Sequence, residues 1–336
     1  MKLTNIVAAA CSLTLLVPSL AAQESATQNA IIAPLAAKSV LLDIQKNDKQ
    51  VVAVGERGHI LTSNDGQNWT QQAVPSQATL NGVFPLNEKI WAVGHDATIL
   101  HSQDSGKSWV VQQFLPEIER PLFDVVFFDE QHGIAVGAYG VFFRTRDGGQ
   151  TWQREYHPSF LHPDDREYVE SLKEEDMEFY KEEMASILPH LNRLYFSNGK
   201  LYAAGEIGLL AVSDDFGQSW QRIETDYYGS FFDVRELPSG EVMAAGLRGS
   251  VYRSNANHSE WQRLETNTTS TFNSIVPLDD TRVLLIGNNG TKLIVQGESI
   301  TQEQTEDGKA LVAATQFNNA MLAVSEVGIK QLSLNK

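Results

Sequence analysis

The chain has 336 residues with 42 acidic and 26 basic side chains, which gives a formal net charge of −16. A surface of that sign repels nucleic acid and anionic lipid, so neither is an expected partner. The single cysteine, Cys11, lies within the first 22 residues. The rest of the chain therefore has no thiol for a disulfide, a thiolate metal site or a cysteine nucleophile.

Residues 1–22 have the layout of a secretory signal peptide. Lys2 precedes an apolar run, and the run ends in small residues at Ala21 and Ala22. We expect this segment to direct export of the protein. The apolar run is shorter than the ~20 residues of a membrane-spanning helix, and no second such run follows. We therefore expect no direct insertion of the protein into a membrane.

An apolar strand that ends in a glycine turn recurs along the chain after this segment. The copies are VVAVGERGHIL, IWAVGHDATIL, GIAVGAYGVFF, LYAAGEIGLLA, VMAAGLRGSVY, VLLIGNNGTKL and a weaker MLAVSEVGIKQ. Their first glycines are Gly55, Gly94, Gly137, Gly205, Gly246 and Gly287, with Ser325 in the seventh place. The spacings are 39, 43, 68, 41, 41 and 38 residues, and ~40–45 residues is typical of a four-stranded propeller blade. The sequence predicts an all-β, seven-bladed β-propeller over residues 23–336.

Two segments depart from this regular repeat. The seventh unit supplies only three strands, so we expect the apolar residues 28–38 to add the fourth and close the ring. The long spacing indicates an insertion at about residues 157–189, between the third and fourth blades. Residues 164–184 carry ten acidic and three basic side chains with an imperfect helical stripe. We expect one or two acidic helices there, beginning with Asp164 as N-cap.

A second motif, Ser/Thr-x-Asp-x-Gly-x-x-Trp, follows the third strand of several units, and we call it the Asp box. It reads SQDSGKSW, TRDGGQTW and SDDFGQSW, and TSNDGQNW keeps the frame with Asn64 in the acidic position. The residues are Ser102, Asp104, Gly106, Trp109, Asp147, Gly149, Trp152, Asp215, Gly217, Trp220, Asn64 and Trp69.

A catalytic acid is needed once or twice in a site, whereas the Asp box recurs round the periphery. An Asp or Asn in a tight turn accepts main-chain hydrogen bonds, and glycine permits positive φ. The tryptophan offers a large apolar face to the neighbouring sheet. We interpret the box as structural. A metal-binding loop is the alternative, although Asn64 in the acidic position argues against it.

Two other sets of residues converge on the axis of the predicted ring. Turns between the second and third strands form a rim of varied chemistry, which suits a partner or ligand but also resembles ordinary solvated turns. Its members are Glu56, Arg57, His95, Asp96, Tyr139, Glu206, Arg248 and Asn288. A polar residue 13 or 14 positions before the turn glycine predicts a ring at the channel mouth, either a shared fold device or a ligand site. Its members are Asn81, Asp124, Asn192, Asp233 and Asn273.

The Asp boxes are similar to the BNR repeats of sialidases. Paired with an A-V-G-x-x-G turn in seven blades, they resemble the photosystem II stability and assembly factor family and its bacterial relatives. That resemblance implies a periplasmic or thylakoid-lumenal propeller that binds a membrane protein during assembly and has no enzymatic activity. We expect no catalytic residue, no metal and no cofactor, and none of the eight histidines has a paired spacing that suggests zinc. In a bacterium without photosystems the natural client is an exporter or another envelope complex.

The sequence therefore predicts a non-catalytic monomer that binds a protein client, a periplasmic part of a membrane complex, through the rim and the acidic insertion. A different hypothesis is a carbohydrate-binding protein or sialidase-like glycoside hydrolase. That chemistry requires converging arginines, a tyrosine nucleophile with a glutamate partner and an acid/base aspartate near the axis. Tyr139 is one of few tyrosines at the axial face.

Overall fold

Seven antiparallel sheets arranged as a closed ring make up the computed structural model, which describes residues 28–334. Six sheets have four strands in sequential order, and the seventh has three. The first strand of each blade contacts the first strand of the next, and the first strand of the last blade contacts that of blade 1. The predicted seven-bladed β-propeller is confirmed.

The strands of the first four blades follow the repeat. Blade 1 comprises β1 (Leu41–Lys46), β2 (Val51–Gly55), β3 (Ile60–Ser63) and β4 (Thr70–Gln71). Blade 2 comprises β5 (Leu80–Leu86), β6 (Lys89–Gly94), β7 (Ile99–Ser102) and β8 (Val110–Gln113). Blade 3 comprises β9 (Leu122–Phe127), β10 (Gly133–Gly137), β11 (Phe142–Thr145) and β12 (Gln153–Arg154). Blade 4 comprises β13 (Leu191–Ser197), β14 (Lys200–Gly205), β15 (Leu210–Ser213) and β16 (Gln221–Arg222).

The remaining three blades complete the ring. Blade 5 comprises β17 (Phe231–Glu236), β18 (Val242–Gly246), β19 (Val251–Ser254) and β20 (Trp261–Arg263). Blade 6 comprises β21 (Phe272–Pro277), β22 (Arg282–Gly287), β23 (Thr291–Gln296) and β24 (Ser299–Gln304). Blade 7 comprises β25 (Leu311–Phe317), β26 (Ala320–Ser325) and β27 (Gly328–Leu332).

Glycine recurs at the end of the second strand because two backbone segments meet there. The N–H of Glu56, the residue after Gly55, donates to the carbonyl oxygen of Val40 (3.1 Å), and equivalent bonds recur in the other six blades. A Cβ atom on Gly55 would lie 2.2 Å from that oxygen. A side chain would push the first two strands of the blade apart.

Seven apolar clusters hold the ring together, one at each junction between neighbouring blades. Trp109 and Trp220 of the Asp boxes pack in the clusters shared with the preceding blades, as expected of apolar wedges. The cluster between blades 3 and 4 also takes in side chains of the insertion. Burial on both faces explains why second strands such as β2 are continuous apolar runs.

The insertion between blades 3 and 4 forms two helices, α1 (Pro163–Glu175) and α2 (Met177–Ile187). The N-cap of α1 is His162 and not Asp164, because Pro163 takes the first helical position and the His162 side chain accepts from the N–H of Asp164. The buried side chains Val169, Tyr180 and Met184 attach the helices to the cluster between blades 3 and 4.

Residues 28–38 do not form the fourth strand of blade 7, whose sheet contains three strands among the described residues. Ala30 instead donates its N–H to the carbonyl of Val74 (2.8 Å), and Gln71 bonds the backbone of Ile31 and Ala33. Ala36 is buried in the cluster between blades 7 and 1. The segment follows the outside of blade 1 because its small apolar side chains fill that junction. The predicted signal peptide, residues 1–22, lies outside the described residues.

Candidate functional site

The Asp box of blade 2 is a closed network of short hydrogen bonds. Ser102 Oγ donates to Asp104 Oδ1 (2.8 Å) and accepts the N–H of Gly106 (2.8 Å). Ser108 donates its N–H and hydroxyl to the same carboxylate (2.8 and 2.6 Å). The Trp109 indole donates to the Gly106 carbonyl (2.9 Å). The bonds from Ser108 and Ser102 lower the pKa of Asp104 to about 2.

The carboxylate bonds recur in blades 3 and 4 around Asp147 and Asp215. The indole bond recurs in blade 4, from Trp220 to the Gly217 carbonyl (3.1 Å), whereas the Trp152 indole of blade 3 has no hydrogen-bond partner among the described residues. In blade 1 the turn is one residue shorter, and the prediction for Asn64 is wrong. Asp65 accepts from Ser63 Oγ (3.0 Å) and from the N–H groups of Gln67 and Asn68 (2.8 and 2.7 Å). A carboxylate is therefore present in this box as well, and its bonds are also internal.

The boxes also connect neighbouring blades. In each of three boxes the residue between Asp and Gly is left-handed, with φ of 61° at Ser105, 72° at Gly148 and 57° at Phe216. The carbonyls of these residues accept from side chains of the preceding blade: Gln50 (3.1 Å), Gln112 (2.9 Å) and Arg144 (2.8 Å). Both the carboxylate and this carbonyl are thus engaged within the protein, which supports the structural interpretation.

The rim has a different character. Six of its turns place two consecutive residues in the left-handed region, and the turn does not use the side chain of the first, whose φ lies between 50° and 57°. These first residues are Arg57, Asp96, Tyr139, Ile207, Arg248 and Asn289. The predicted rim residues Glu56, His95, Glu206 and Asn288 stand one position earlier in their turns. The structure thus brings all eight predicted rim residues to one face.

The most apolar part of the rim was missed by sequence reasoning. Ile207 is 62% exposed and Tyr228, in the connection from blade 4 to blade 5, is 81% exposed. The N–H of Gly208 donates to the Gly229 carbonyl (2.7 Å). This hydrogen bond joins the turn that carries Ile207 to the loop that carries Tyr228. A β-branched residue at positive φ is a conformational outlier. An alignment of GEIG with GERG and GAYG would have shown that Ile207 is equivalent to Arg57 and Tyr139 in the repeat.

Tyr139 extends this patch towards the insertion. Its ring, 48% exposed, packs at 4.5 Å against His190, whose Nδ1 lies 3.1 Å from a Glu206 carboxylate oxygen. The Arg120 guanidinium lies 5.1 Å from the centre of the Tyr139 ring and donates to the Ala185 carbonyl of α2 (2.7 Å). Burial lowers the pKa of His190 in spite of the Glu206 charge. We call Tyr139, Ile207 and Tyr228 the rim patch.

The predicted polar ring at the channel mouth is two sets of positions, not one. Every first strand contains a bulge. Asn81, Asn192 and Asn273 occupy the bulge in blades 2, 4 and 6, and each donates its side-chain amide to a carbonyl of the next blade (2.7–2.8 Å). Asp124 and Asp233 stand one position later, in blades 3 and 5.

These aspartates bond to the next blade in the opposite sense. Asp124 accepts the N–H of Leu194 (2.7 Å), and Asp233 accepts that of Ile275 (2.8 Å). Asp43 of blade 1, which the sequence reasoning missed, accepts that of Val83 (3.0 Å). Hydrogen bonds made by Asp and by Asn side chains therefore alternate round the first six junctions between blades. Apolar packing that includes residues 28–38 occupies the seventh.

Arg193 of blade 4 lies among the three channel aspartates. It is 3.8 Å from Asp43, 3.4 Å from Asp124 and 3.7 Å from Asp233. Burial raises the pKa of Asp124 to about 6, although Arg193 opposes the shift. The three carboxylates in turn raise the pKa of the Arg193 guanidinium and outweigh its burial. The channel is a charged core of the fold whose carboxylates are already bonded.

Residues 28–334 offer neither a metal site nor a membrane span. No group of three or more histidine or acidic side chains in this range is arranged to hold a metal ion. No helix in the same range is long and apolar enough to cross a bilayer.

Fold and site together define a seven-bladed Asp-box propeller with a varied, partly apolar rim. The family model for the photosynthesis system II assembly factor YCF48 matches residues 22–118 and 111–228. The chain belongs to this family.

Individual relatives are more distant. A photosystem II assembly protein Ycf48 of a Synechococcus strain is 30% identical over 80 residues, 23% of this chain and 24% of that protein. The matched segments of the curated relatives thus span about a quarter to a third of their lengths. A structure described as YCF48 bound to D1 peptide aligns with TM-score 0.66 and 18% identity over 89% of this chain and 97% of that one. YCF48 from Cyanidioschyzon merolae aligns with TM-score 0.66 and 16% identity over 88% and 96%. At these identities the structures establish the likeness of fold.

Proposed function

We propose that this protein is an exported, non-catalytic factor that binds a protein client, the periplasmic or lumenal part of a membrane complex, and assists its assembly or stability. The rim patch carries the proposal. Three large side chains are exposed on one face, and two of them, Tyr139 and Ile207, are held in the left-handed region. Strained, exposed residues on a rigid scaffold are typical of functional surfaces.

The electrostatics of the channel support a non-catalytic role. A glycosidase needs carboxyl groups free to act on a substrate. Asp43, Asp124 and Asp233 are instead engaged by backbone N–H groups and by Arg193. The carboxylates of the Asp boxes, on the face opposite the rim, also accept backbone N–H groups.

Family membership supports the choice of a protein as ligand. One solved relative is YCF48 bound to a D1 peptide, and one curated relative is described as a photosystem II assembly lipoprotein. We propose a corresponding role for this chain, with the client meeting the rim patch and the neighbouring α2. Aromatic and aliphatic side chains in such a position are the usual anchors of a protein interface.

Affinity capture from detergent-solubilised envelope, with the purified protein as bait, tests this proposal. The bait variants are wild type, Ile207→Ser with Tyr228→Ser, and a control with Val110→Ser, an equally exposed apolar residue on the outer strand of blade 2. We expect wild type and the control to retain one membrane protein complex and the rim variant to lose most of it. Equal recovery by all three baits, or no membrane protein with any, would refute the proposal.

A further inference from the structure

The seam between blades 3 and 4 contains an aromatic cavity on the Asp-box face, away from the rim patch. The cavity has a volume of about 380 Å³ and is lined by Phe128, Phe216, Asp129, His132, Arg146 and Gln218, among others. The Asp129 carboxylate accepts the N–H groups of Gln131 and His132 and lies 2.8 Å from His132 Nδ1. Phe128 packs edge-to-face against Phe216 (5.0 Å between centroids, 62°) and against Phe196 (5.0 Å, 68°). We call the three phenylalanines the aromatic cup.

Phe216 is not needed for the turn that carries it. It occupies the left-handed position of its Asp box, with φ of 57°, where the corresponding boxes have Ser105 and Gly148. A side chain with a Cβ atom is sterically disfavoured in this region, whereas glycine is not. The side chain is nevertheless 47% exposed, so only half of it gains packing energy. A strained, half-exposed aromatic residue is therefore present where serine or glycine makes the same turn.

Arg144 holds this strained turn from the preceding blade. Its guanidinium donates to the carbonyls of Phe216 and Gly217 (2.8 Å each), and its Nε donates to Glu155 (2.8 Å). The Arg144 side chain is only 6% exposed. Surroundings that over-determine a strained residue in this way are typical of binding sites.

A second, basic cavity of about 670 Å³ adjoins the cup and shares Arg146 and Gln218 with it. It extends along the outer wall to the insertion helices. Glu155 is the acidic residue that lines it, and that carboxylate is shared by Arg144, Arg146 and His157. Burial alone would raise the pKa of Glu155, but its hydrogen bonds to His157 and Arg144 lower it to about 2.

Positive charge in this cavity is in excess. Arg154 lies 5.0 Å over the ring of Tyr156 and makes no ion pair within residues 28–334, and its Nε is buried without a hydrogen-bond partner. Lys173 lies 5.7 Å over Tyr180 and likewise makes no ion pair in that range. On a chain of net charge −16, a cavity with unpaired cations attracts an anionic group that the rest of the surface repels.

We infer that the aromatic cup and the adjoining basic cavity form one groove for an extended acidic peptide segment with an aromatic anchor. The anchor ring enters the cup, where edge-to-face contacts with Phe128 and Phe216 favour a further aromatic ring. Carboxylates of the same segment meet Arg146 and Arg154, whose planar guanidinium groups match a carboxylate in two-point hydrogen bonding. This inference rests on the proposed function in taking a protein segment as ligand, but it places that segment at a second surface.

Fluorescence anisotropy with a labelled hexapeptide that has one phenylalanine between glutamates tests the inference. We expect saturable binding to the wild-type protein, and binding about tenfold weaker when alanine replaces the peptide's phenylalanine. Phe216→Ser, which restores the residue of blade 2, is expected to weaken binding about tenfold with a melting temperature within about 2 °C of wild type. Arg154→Gln is expected to weaken binding to a similar extent and to reduce its salt dependence.

Ile207→Ser on the rim is the matched control and is expected to bind the hexapeptide as wild type does. No saturable binding by wild type, or equal binding by Phe216→Ser, would overturn the inference. Binding of 3′-sialyllactose in place of the peptide would overturn it in favour of a carbohydrate site. The proposed function is tested separately by affinity capture. If the protein binds the peptide but captures no membrane complex, the inferred groove is supported and the proposed function is refuted.

Discussion

The channel and the rim both surround the axis of the ring, yet they use polar and apolar residues in opposite ways. Channel side chains such as Asp124, Asn192 and Asp233 are committed to main-chain groups of the next blade. Rim side chains such as Arg57, Tyr139 and Ile207 are exposed, and their turns do not use them. Repetition of a residue type round the ring thus marks the scaffold, whereas variation at a strained position marks the surface available to partners.

Removing the channel cation should have the largest effect. Arg193→Met leaves three buried carboxylates without their shared positive charge. Loss of one partner from a buried ion pair costs about 3–5 kcal/mol. We expect the free energy of unfolding in urea at pH 7 to fall by about that amount. Arg57→Met, on the rim, should change it by less than about 0.5 kcal/mol. A loss below about 1 kcal/mol for Arg193→Met would remove the distinction between the two regions.

The protonation of Asp124 should make stability fall as pH rises. Its pKa is about 6 in the folded protein, above the ordinary aspartate value of 3.8. The folded state therefore binds the proton more tightly, and this stabilisation is complete below about pH 4 and lost as the pH rises through about 6. Relative to Asp124→Asn, wild type should lose on the order of 2 kcal/mol between about pH 4 and pH 7. Parallel pH profiles of urea unfolding for the two proteins would contradict this assignment.

An Asp-box substitution should have a smaller and purely structural effect. Asp104→Ala removes the acceptor for Ser102 and Ser108. We expect the free energy of unfolding to fall by about 1 kcal/mol, with client capture unchanged because the box is closed on itself. Asp48→Ala, an exposed loop residue, is the control for loss of one negative charge. Lost capture with an unchanged melting temperature would show that the box contacts the client.

Relief of strain on the rim should produce the smallest change in stability and the reverse sign. Ile207→Gly removes a β-branched side chain from the left-handed region. We expect the free energy of unfolding to rise by a few tenths of a kcal/mol up to about 1 kcal/mol, while client capture falls. Gly208 beside it is unchanged and keeps the turn. A destabilised variant that retains full capture would place Ile207 with the scaffold.

Several features of the fold were readable from the chain because they repeat. Glycine spacing predicted seven blades, and the excess of residues after Trp152 predicted the helical insertion that begins at Pro163. Two of the errors, in the polar ring of the channel and in the Asp box of blade 1, came from single-residue offsets. In blades 3 and 5 one more residue separates the start of the first strand from the turn glycine than in blade 2. Equal spacing from the turn glycine therefore aligned Asp124 and Asp233 with Asn81. In the structure Asn81 lies in the bulge of its strand, whereas the two aspartates directly follow theirs.

The Asp box of blade 1 shows the same limit. Because the turn is one residue shorter, the carboxylate of this box belongs to Asp65 and not to the predicted position 64. Trp69 packs in the junction between blades as predicted. Sequence spacing records covalent distance, whereas hydrogen bonding depends on which atoms the backbone turns towards each other. A bulge or a shortened turn changes the hydrogen-bonding partners without an obvious change in the sequence spacing.

Periodicity of apolar residues and glycines was sufficient by itself to determine the class of fold, the number of blades and the place of the insertion, because these follow from local backbone preference and burial. The sites depended on contacts between distant segments. Arg193 with Asp43, the aromatic cup of Phe128 and Phe216, and the hydrogen-bonded segments that carry Ile207 and Tyr228 all join residues that lie apart in the sequence. Only the tertiary structure could decide which polar groups are engaged within the fold and which remain exposed to a partner.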